Sequence, residues 1–277
     1  MTAYFNGCFL PQSEICISPD DRGFIFADGL YEVIRSYGGH LFELEAHIAR
    51  LNYGAHAIRL PITDFAFLKG VAQELIERND LRGDASVYLQ VTRGVYPRAH
   101  PFPDAQTPLT VYALARLFTP KTQEQENGIG VILVPDIRWA RCDIKAIGLL
   151  PNVMAQQRAL DSGAQEALFV RDGCIMEGTH TSVFAAIKGQ IITPPKTNYI
   201  LGGITRQVIL NLCREHSIPC AEKPIFEAEL EQLEELMVVG TTTELTPVIR
   251  IQGKPIGAGV RGEMTFRLQQ LFREFHR

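Results

Sequence analysis

The chain has 277 residues, 46% hydrophobic and 21% charged, with a formal net charge of −4; it can bury a core for one large or two modest domains. That charge gives no field favouring nucleic acid or an anionic membrane, and no basic cluster is interleaved with aromatics. No apolar run approaches the roughly 20 residues that span a bilayer, and MTAYFNGCFLPQ lacks the basic and apolar regions of a signal peptide. The six cysteines form no CxxC pair and no metal spacing, so they read as reduced thiols in the cytoplasm and no metal is expected.

In chain order, TAYF, Asn6-Gly7 and CFL predict a hairpin. Asp20-Asp21-Arg22-Gly23 reads as a turn, and residues 30–37 alternate as a strand. Leu44, Ile48, Leu51, Ala55 and Ile58 have helical spacing, and Asp64 is placed to cap a second helix running to about Asn79. Strands at 85–93 and 109–117 flank GVYPRAHPFPDAQTP, which the prolines mark as an ordered, exposed loop. Residues 118–128, FTPKTQEQENG, are polar and aperiodic, which predicts a linker between domains at 1–117 and 129–277. Beyond it come a strand at 129–135, an irregular DIRWARCDIK and a helix near 152–162. Then follow hairpins from 165 to 193, a helix at 203–216, a strand at 219–226 and a short acidic helix. A strand at 236–239, another strand and a helix at 262–275 close the chain. Mostly hairpin connections with helices in both halves predict an α+β fold of two mixed domains.

Residues 165–206 carry the most chemistry. A hairpin bearing Glu177 precedes a glycine-opened helix at Gly202-Gly203-Ile204-Thr205. A carboxylate can hold a proton on a ring nitrogen, and a helix start offers free N–H groups to a phosphate. Those are the needs of the two ends of pyridoxal phosphate, and Lys145 lies upstream for its aldehyde.

Five blocks then occur in order: DRGFIFADGLYE at 21–32, EAHIARL at 45–51, EGTHTSVF at 177–184, LGGITR at 201–206 and TTTELTPV at 241–248. Together they resemble the fold-type IV pyridoxal-phosphate-dependent transaminases over nearly the whole chain. VTRGVYPRAH at 91–100 and DIRWARCDIK at 136–145 look like that family's D-amino-acid transaminase branch. The resemblance implies two domains with the active site between them. It also implies ping-pong transfer of an amino group from a D-amino acid to a 2-oxo acid, through a Schiff base on Lys145.

Residue by residue, the resemblance assigns Lys145 to catalysis and to the cofactor, with Glu177 on the ring nitrogen. Arg50 would fork onto the phosphate, alongside the Ile204 and Thr205 N–H groups, the Thr205 hydroxyl and Thr241. Alone, each has a plainer reading: a solvated lysine or glutamate, an exposed helix arginine, a helix cap. Arg138 and Arg141 precede Lys145 and would, with burial, lower its pKa. Tyr31, Arg98 and His100 look like the trap for the substrate carboxylate, with Arg98 and His100 reaching the neighbouring subunit of a homodimer. Val33, Arg35, His180, Thr181 and Thr242 would line the substrate side. Trp139, Cys142, His47 and His56 read as structural.

The chain departs from the family at His180 and Ser182, where small hydroxyl residues and an asparagine are usual, and at Gly240, where a serine is often seen. The bulk and charge of His180, with Arg35, would admit D-glutamate or D-aspartate beside D-alanine. Three other activities share the scaffold: branched-chain L-amino-acid transamination, (R)-amine transamination, and an aminodeoxychorismate-lyase-type elimination of pyruvate. The Arg98/His100 loop argues against the first.

Overall fold

The computed structural model describes residues 1–276. The chain divides into two compact units, Met1–Thr119 with Ile144–Gly148, and Pro120–Asp143 with the residues from Leu149 on.

In the first unit, β1 (Thr2–Phe5) and β2 (Cys8–Pro11) form the expected hairpin, turned through Asn6 and Gly7 at φ of 47° and 96°. There follow α1 (Arg22–Phe26), β3 (Gly29–Tyr37), β4 (His40–Leu41), α2 (Leu44–Ala57), α3 (Leu68–Arg78), β5 (Ala85–Thr92) and β6 (Thr110–Leu117). The strands form one antiparallel sheet in the order β2-β1-β6-β5-β3-β4. Alternate residues on one face (Leu30 and Ile34; Val87, Leu89 and Val91; Ala113 and Ala115) pack with Ile48, Leu51, Leu68 and Leu75 of α2 and α3. The opposite face carries Tyr31, Val33, Arg35 and Tyr88.

Two local expectations change. The Asp20–Gly23 turn runs into a helix, because the Asp21 carboxylate accepts the Gly23 N–H at 2.8 Å and caps α1. Asp64 accepts the Ala66 N–H at 3.0 Å, but α3 begins only at Leu68 and has no side-chain cap.

The second unit has α4 (Thr122–Asn127), β7 (Ile129–Pro135), α5 (Leu150–Asp161), β8 (Glu166–Arg171), β9 (Cys174–Gly178), β10 (Ser182–Ile187) and β11 (Gln190–Thr193). It continues with α6 (Ile204–Glu215), β12 (Cys220–Glu222), β13 (Ile225–Phe226), β14 (Glu235–Gly240), β15 (Glu244–Ile251), β16 (Lys254–Pro255) and α7 (Glu263–Phe275). The ten strands make one mixed sheet, ordered β12-β11-β10-β14-β15-β7-β8-β9-β13 with β16 on β15. One core gathers Val131, Leu168, Val183, Val238 and Val248, and a smaller one seats Ala155 and Ala159 of α5 on Phe169.

The polar segment 118–128 contains α4, since Gln and Glu favour helix without any apolar stripe. The strand expected at 219–226 is two strands, separated by Lys223-Pro224, that join opposite edges of the sheet: β12 on β11 and β13 on β9. The short acidic helix is a 3₁₀ segment, Glu227–Gln232. Among the described residues, no helix is long and apolar enough to cross a membrane. None of their His, Cys, Asp and Glu side chains form a group of three or more able to hold a metal ion, and the six cysteines are free.

Candidate active site

Lys145 follows the irregular DIRWARCDI run, yet residues 144–148 belong to the first unit. They pair with an edge of β3: the Tyr31 N–H donates to the Lys145 carbonyl and the Ile147 N–H to the Gly29 carbonyl, each at 3.1 Å. Gly29 has to be glycine, because a Cβ there would stand 2.6 Å from the Val91 carbonyl oxygen. This pairing sets the Lys145 Nζ 4.3 Å from the centre of the Tyr31 ring. Tyr31 stacks on Tyr88 at 5.9 Å, and Tyr88 lies 6.5 Å from Tyr112. Burial, with the neighbouring tyrosines, pushes the Tyr88 phenol up to about 12.

Next to Tyr31 in β3, and so on the opposite face, Glu32 is fully buried. It receives Arg50 Nε and Nη2 as a fork, both at 2.7 Å, and His47 Nδ1 at 2.8 Å. Burial alone would raise the Glu32 pKa. The Arg50 charge and the two partners' hydrogen bonds outweigh it and draw the group down to about 2. For His47 burial wins over Glu32, so its pKa falls and the ring is neutral at pH 7. His47, expected to be structural, is one of the two residues holding Glu32.

Arg35 shares a face with Tyr31 and Val33, as expected. However, it is buried, bonds Asp84 at 2.7 Å and lies over the Phe118 and Tyr37 rings at 3.5 and 5.0 Å. Four residues of strand, about 13 Å, separate it from Tyr31. The Arg35 contacts tie down that end of the sheet. Arg98 and His100 are exposed on the loop between β5 and β6, 5.3 and 5.6 Å from the Phe26 ring centre.

In the second unit Glu177, on β9, is buried. One carboxylate oxygen accepts from Arg138 Nη1 and the other accepts the Leu201 N–H at 3.0 Å. Arg138 in turn bonds Asp136 through Nε at 2.9 Å and Nη2 at 3.0 Å, and Arg171 reaches the same Asp136. Burial opposes both charges, but the pairing wins: Asp136 lies below the usual carboxylate range and Arg138 above its ordinary value. Arg138 is bonded to Asp136 and Glu177, and Arg141 to Asp143 at 2.9 and 3.0 Å. Burial pushes the Cys142 thiol up to about 11, in keeping with an inert thiol.

The helix start lies beside this carboxylate. Gly203 caps α6 without any side-chain cap, and Thr205 is buried. A Cβ on Gly203 would come within 2.7 Å of Ser182 Oγ, and one on Gly240 would touch the His180 carbonyl at 3.4 Å. The turns at 180–182, 203–205 and 240–242 are therefore packed together, with Thr241 and Thr242 half-buried. His180 is half-exposed. Its Nδ1 lies 3.2 Å from the buried Glu166 and 3.0 Å from Thr179 Oγ1, and Thr181 Oγ1 donates to Glu166 at 3.1 Å.

Glu32, Arg138, Asp136 and Glu166 were not singled out as site residues by sequence. The available signal was weak: Glu32, Asp136 and Arg138 lie in family blocks and Glu166 lies outside them, and a glutamate in a strand or an arginine in a loop looks solvated until its partner is known.

The family described as Amino-transferase class IV matches residues 29–251. The chain is 42% identical to a D-alanine aminotransferase of Bacillus licheniformis over 270 residues, covering 97% of this chain and 95% of that protein. It is 38% identical to a D-alanine aminotransferase of Staphylococcus haemolyticus over 273 residues, covering 98% of this chain and 96% of that protein. Among solved structures, the Escherichia coli branched-chain amino acid aminotransferase superposes with a TM-score of 0.92 at 25% identity, over 99% of this chain and 94% of that one.

Proposed function

Because the chain belongs to the class IV aminotransferases, it is a pyridoxal-phosphate-dependent aminotransferase, and we propose that it transfers amino groups from D-amino acids to 2-oxo acids with Lys145 as the catalytic residue. The observation that carries this reading is the Lys145 amine 4.3 Å from the Tyr31 ring, on a strand whose next residue holds Arg50. The relatives named D-alanine aminotransferase support the D-specific part.

The side chains suit this cofactor. Lys145 offers an amine for its aldehyde, Arg50 a guanidinium for its phosphate, and Glu177 a buried carboxylate for its ring nitrogen. The start of α6 is packed too closely at Gly203 to admit a side chain, and its Ile204 and Thr205 N–H groups suit a phosphate. Thr205 and Thr241 hydroxyls would add to them. When bound, the cofactor ring serves as an electron sink for the charge left on the substrate Cα.

Lys145 Nζ would take the proton from the substrate Cα and return it to the carbon that carried the aldehyde. Glu177, which accepts from Arg138 and the Leu201 N–H, would hold the proton on the ring nitrogen. Tyr31 with Arg98 and His100 would bind the substrate carboxylate. The exposure of Arg98 and His100 suits their donation to a second copy in a homodimer. Val33, Thr181, Thr242 and His180 would face the substrate side chain, with His180 admitting D-glutamate or D-aspartate. The six free cysteines fit a reducing, cytoplasmic setting.

One observation favours a second reading, L-amino-acid transfer: the superposition on a branched-chain enzyme. Mixing holoenzyme with D-alanine, L-leucine or (R)-1-phenylethylamine, each without oxo acid, separates them. Loss of the cofactor's visible absorbance with D-alanine alone is expected. Loss with L-leucine instead would overturn the D-specific reading.

A further inference from the structure

The loop that carries Arg98 and His100 leaves β5 after Thr92 and rejoins the sheet at Thr110, with prolines at 97, 101, 103 and 108. It contains no helix or strand of its own. Proline withholds backbone donors, so such a loop has to be fixed by other groups.

Those groups come from the segment Asp20–Asp28. Arg22 is 3% exposed. Its Nη1 donates to the Ala99 carbonyl at 2.6 Å and the Pro101 carbonyl at 3.3 Å, the two carbonyls on either side of His100. Its Nε bonds Asp28 at 2.9 Å, and its guanidinium lies 4.9 Å from the Phe26 ring centre. The same Asp28 oxygen accepts Arg93 Nε at 2.7 Å, and Arg93 donates to the Ile58 and Arg59 carbonyls at the end of α2. The Asp21 carboxylate accepts from Thr92 Oγ1 at 3.0 Å and Thr110 Oγ1 at 2.6 Å, which joins the two stems of the loop. The stems close so tightly that a Cβ on Gly94 would fall 1.9 Å from the Pro108 carbonyl oxygen.

With both neighbouring carbonyls turned in to Arg22, His100 and Arg98 are left on the outside, beside Phe26. We propose that Arg22 is a positioning residue for substrate binding: through the Ala99 and Pro101 carbonyls it pre-orders the Arg98/His100 loop that takes the substrate carboxylate. The inference rests on the carboxylate-binding role given to that loop above. Its physical content is pre-organisation: a loop already fixed need not be ordered when the substrate arrives. Arg22 itself touches no substrate, so its loss acts on binding before it acts on chemistry.

The test compares holoenzyme variants Arg22→Met, Arg22→Lys and Arg98→Gln by steady-state kinetics with D-alanine and by amide hydrogen exchange. Arg22→Met is expected to raise KM about tenfold or more with kcat within about threefold, roughly 1.4 kcal/mol of binding. Exchange should accelerate in residues 95–108 and not in α2 or α3. Arg22→Lys, which keeps the charge but cannot hold Asp28 and both carbonyls in one plane, should fall between Arg22→Met and the parent, and it serves should the methionine variant not fold. Arg98→Gln should raise KM without altering exchange. An Arg22 variant with unchanged KM, or with kcat falling in step while exchange rises throughout the unit, overturns the inference and leaves the loop's role standing. An unchanged KM in Arg98→Gln overturns the loop's role and the inference with it.

Discussion

Each unit sets a buried glutamate against an arginine beside a residue proposed for the cofactor, and the two pairs are used in opposite senses. In the first unit the glutamate is the inner member: Glu32 has no exposed surface and orients Arg50, the residue proposed above for the phosphate. In the second the arginine is the support: Arg138, gripped by Asp136, orients Glu177, the residue proposed above for the ring nitrogen. A buried ion pair adds little net stability by itself, and removing one member leaves an uncompensated charge. What each pair secures is the direction in which the functional member points.

The largest test of this reversal exchanges the two glutamates for glutamine. Glu177→Gln should lower kcat by about 100-fold to 1000-fold, the scale of lost charge stabilisation at a reacting group. Glu32→Gln should weaken cofactor affinity by about 10- to 100-fold, as losing an orienting partner does, with kcat largely recovered at saturating cofactor. Equilibrium dialysis and saturation kinetics check both. The opposite assignment of effects would break the comparison.

Arg138→Met should come next, costing about 3 kcal/mol by leaving the buried Glu177 and Asp136 carboxyls without their shared cation. Denaturant unfolding measures it. Adding Glu177→Gln should restore part of the loss, and a double variant less stable than the single would count against the pairing argument.

The pH dependence distinguishes the clusters more gently. Glu32 is drawn from 4.5 to about 2, so its contribution is complete above 4.5 and disappears as pH falls towards 2. His47 is depressed below 6.5, so folding already loses ground as pH falls through that ordinary value and the ring must be charged. Thermal unfolding across pH 7 to 3 should show a shallow decline and then a steep one, and His47→Gln should remove the shallow phase. The smallest effect is reserved for His180→Ser. It should shift the ratio of kcat/KM for D-glutamate over D-alanine downwards by less than tenfold, and an unchanged ratio would end the specificity argument.

Elements with a clean period were legible in the sequence. The alternation in ASVYLQVT and the apolar spacing of α2 mark β5 and α2 to within two residues at each end. Helix α4 escaped because TQEQEN buries nothing. The family blocks pointed to Lys145, Glu177 and Arg50 as candidates, but not to their hydrogen-bond partners. Glu32 lies 18 residues from Arg50, and Arg138 lies 39 from Glu177. Arg22 finds its carbonyls 77 and 79 residues away. A charge's partner at such range is a property of the fold, and no local pattern announces it. Arg35 is a further case: its face was legible in the alternation of β3, and its partner Asp84, 49 residues on, was not.

The chain visits the first unit twice, and this orders events during synthesis. Residues 1–119 emerge first with the Gly29–Tyr31 edge of β3 still open, and it is filled only once 144–148 have left the ribosome. Until then the nascent chain carries an unpaired strand edge of the kind that invites intermolecular pairing. The five residues that seal that edge include Lys145, so the first unit cannot complete its sheet without also acquiring its amine.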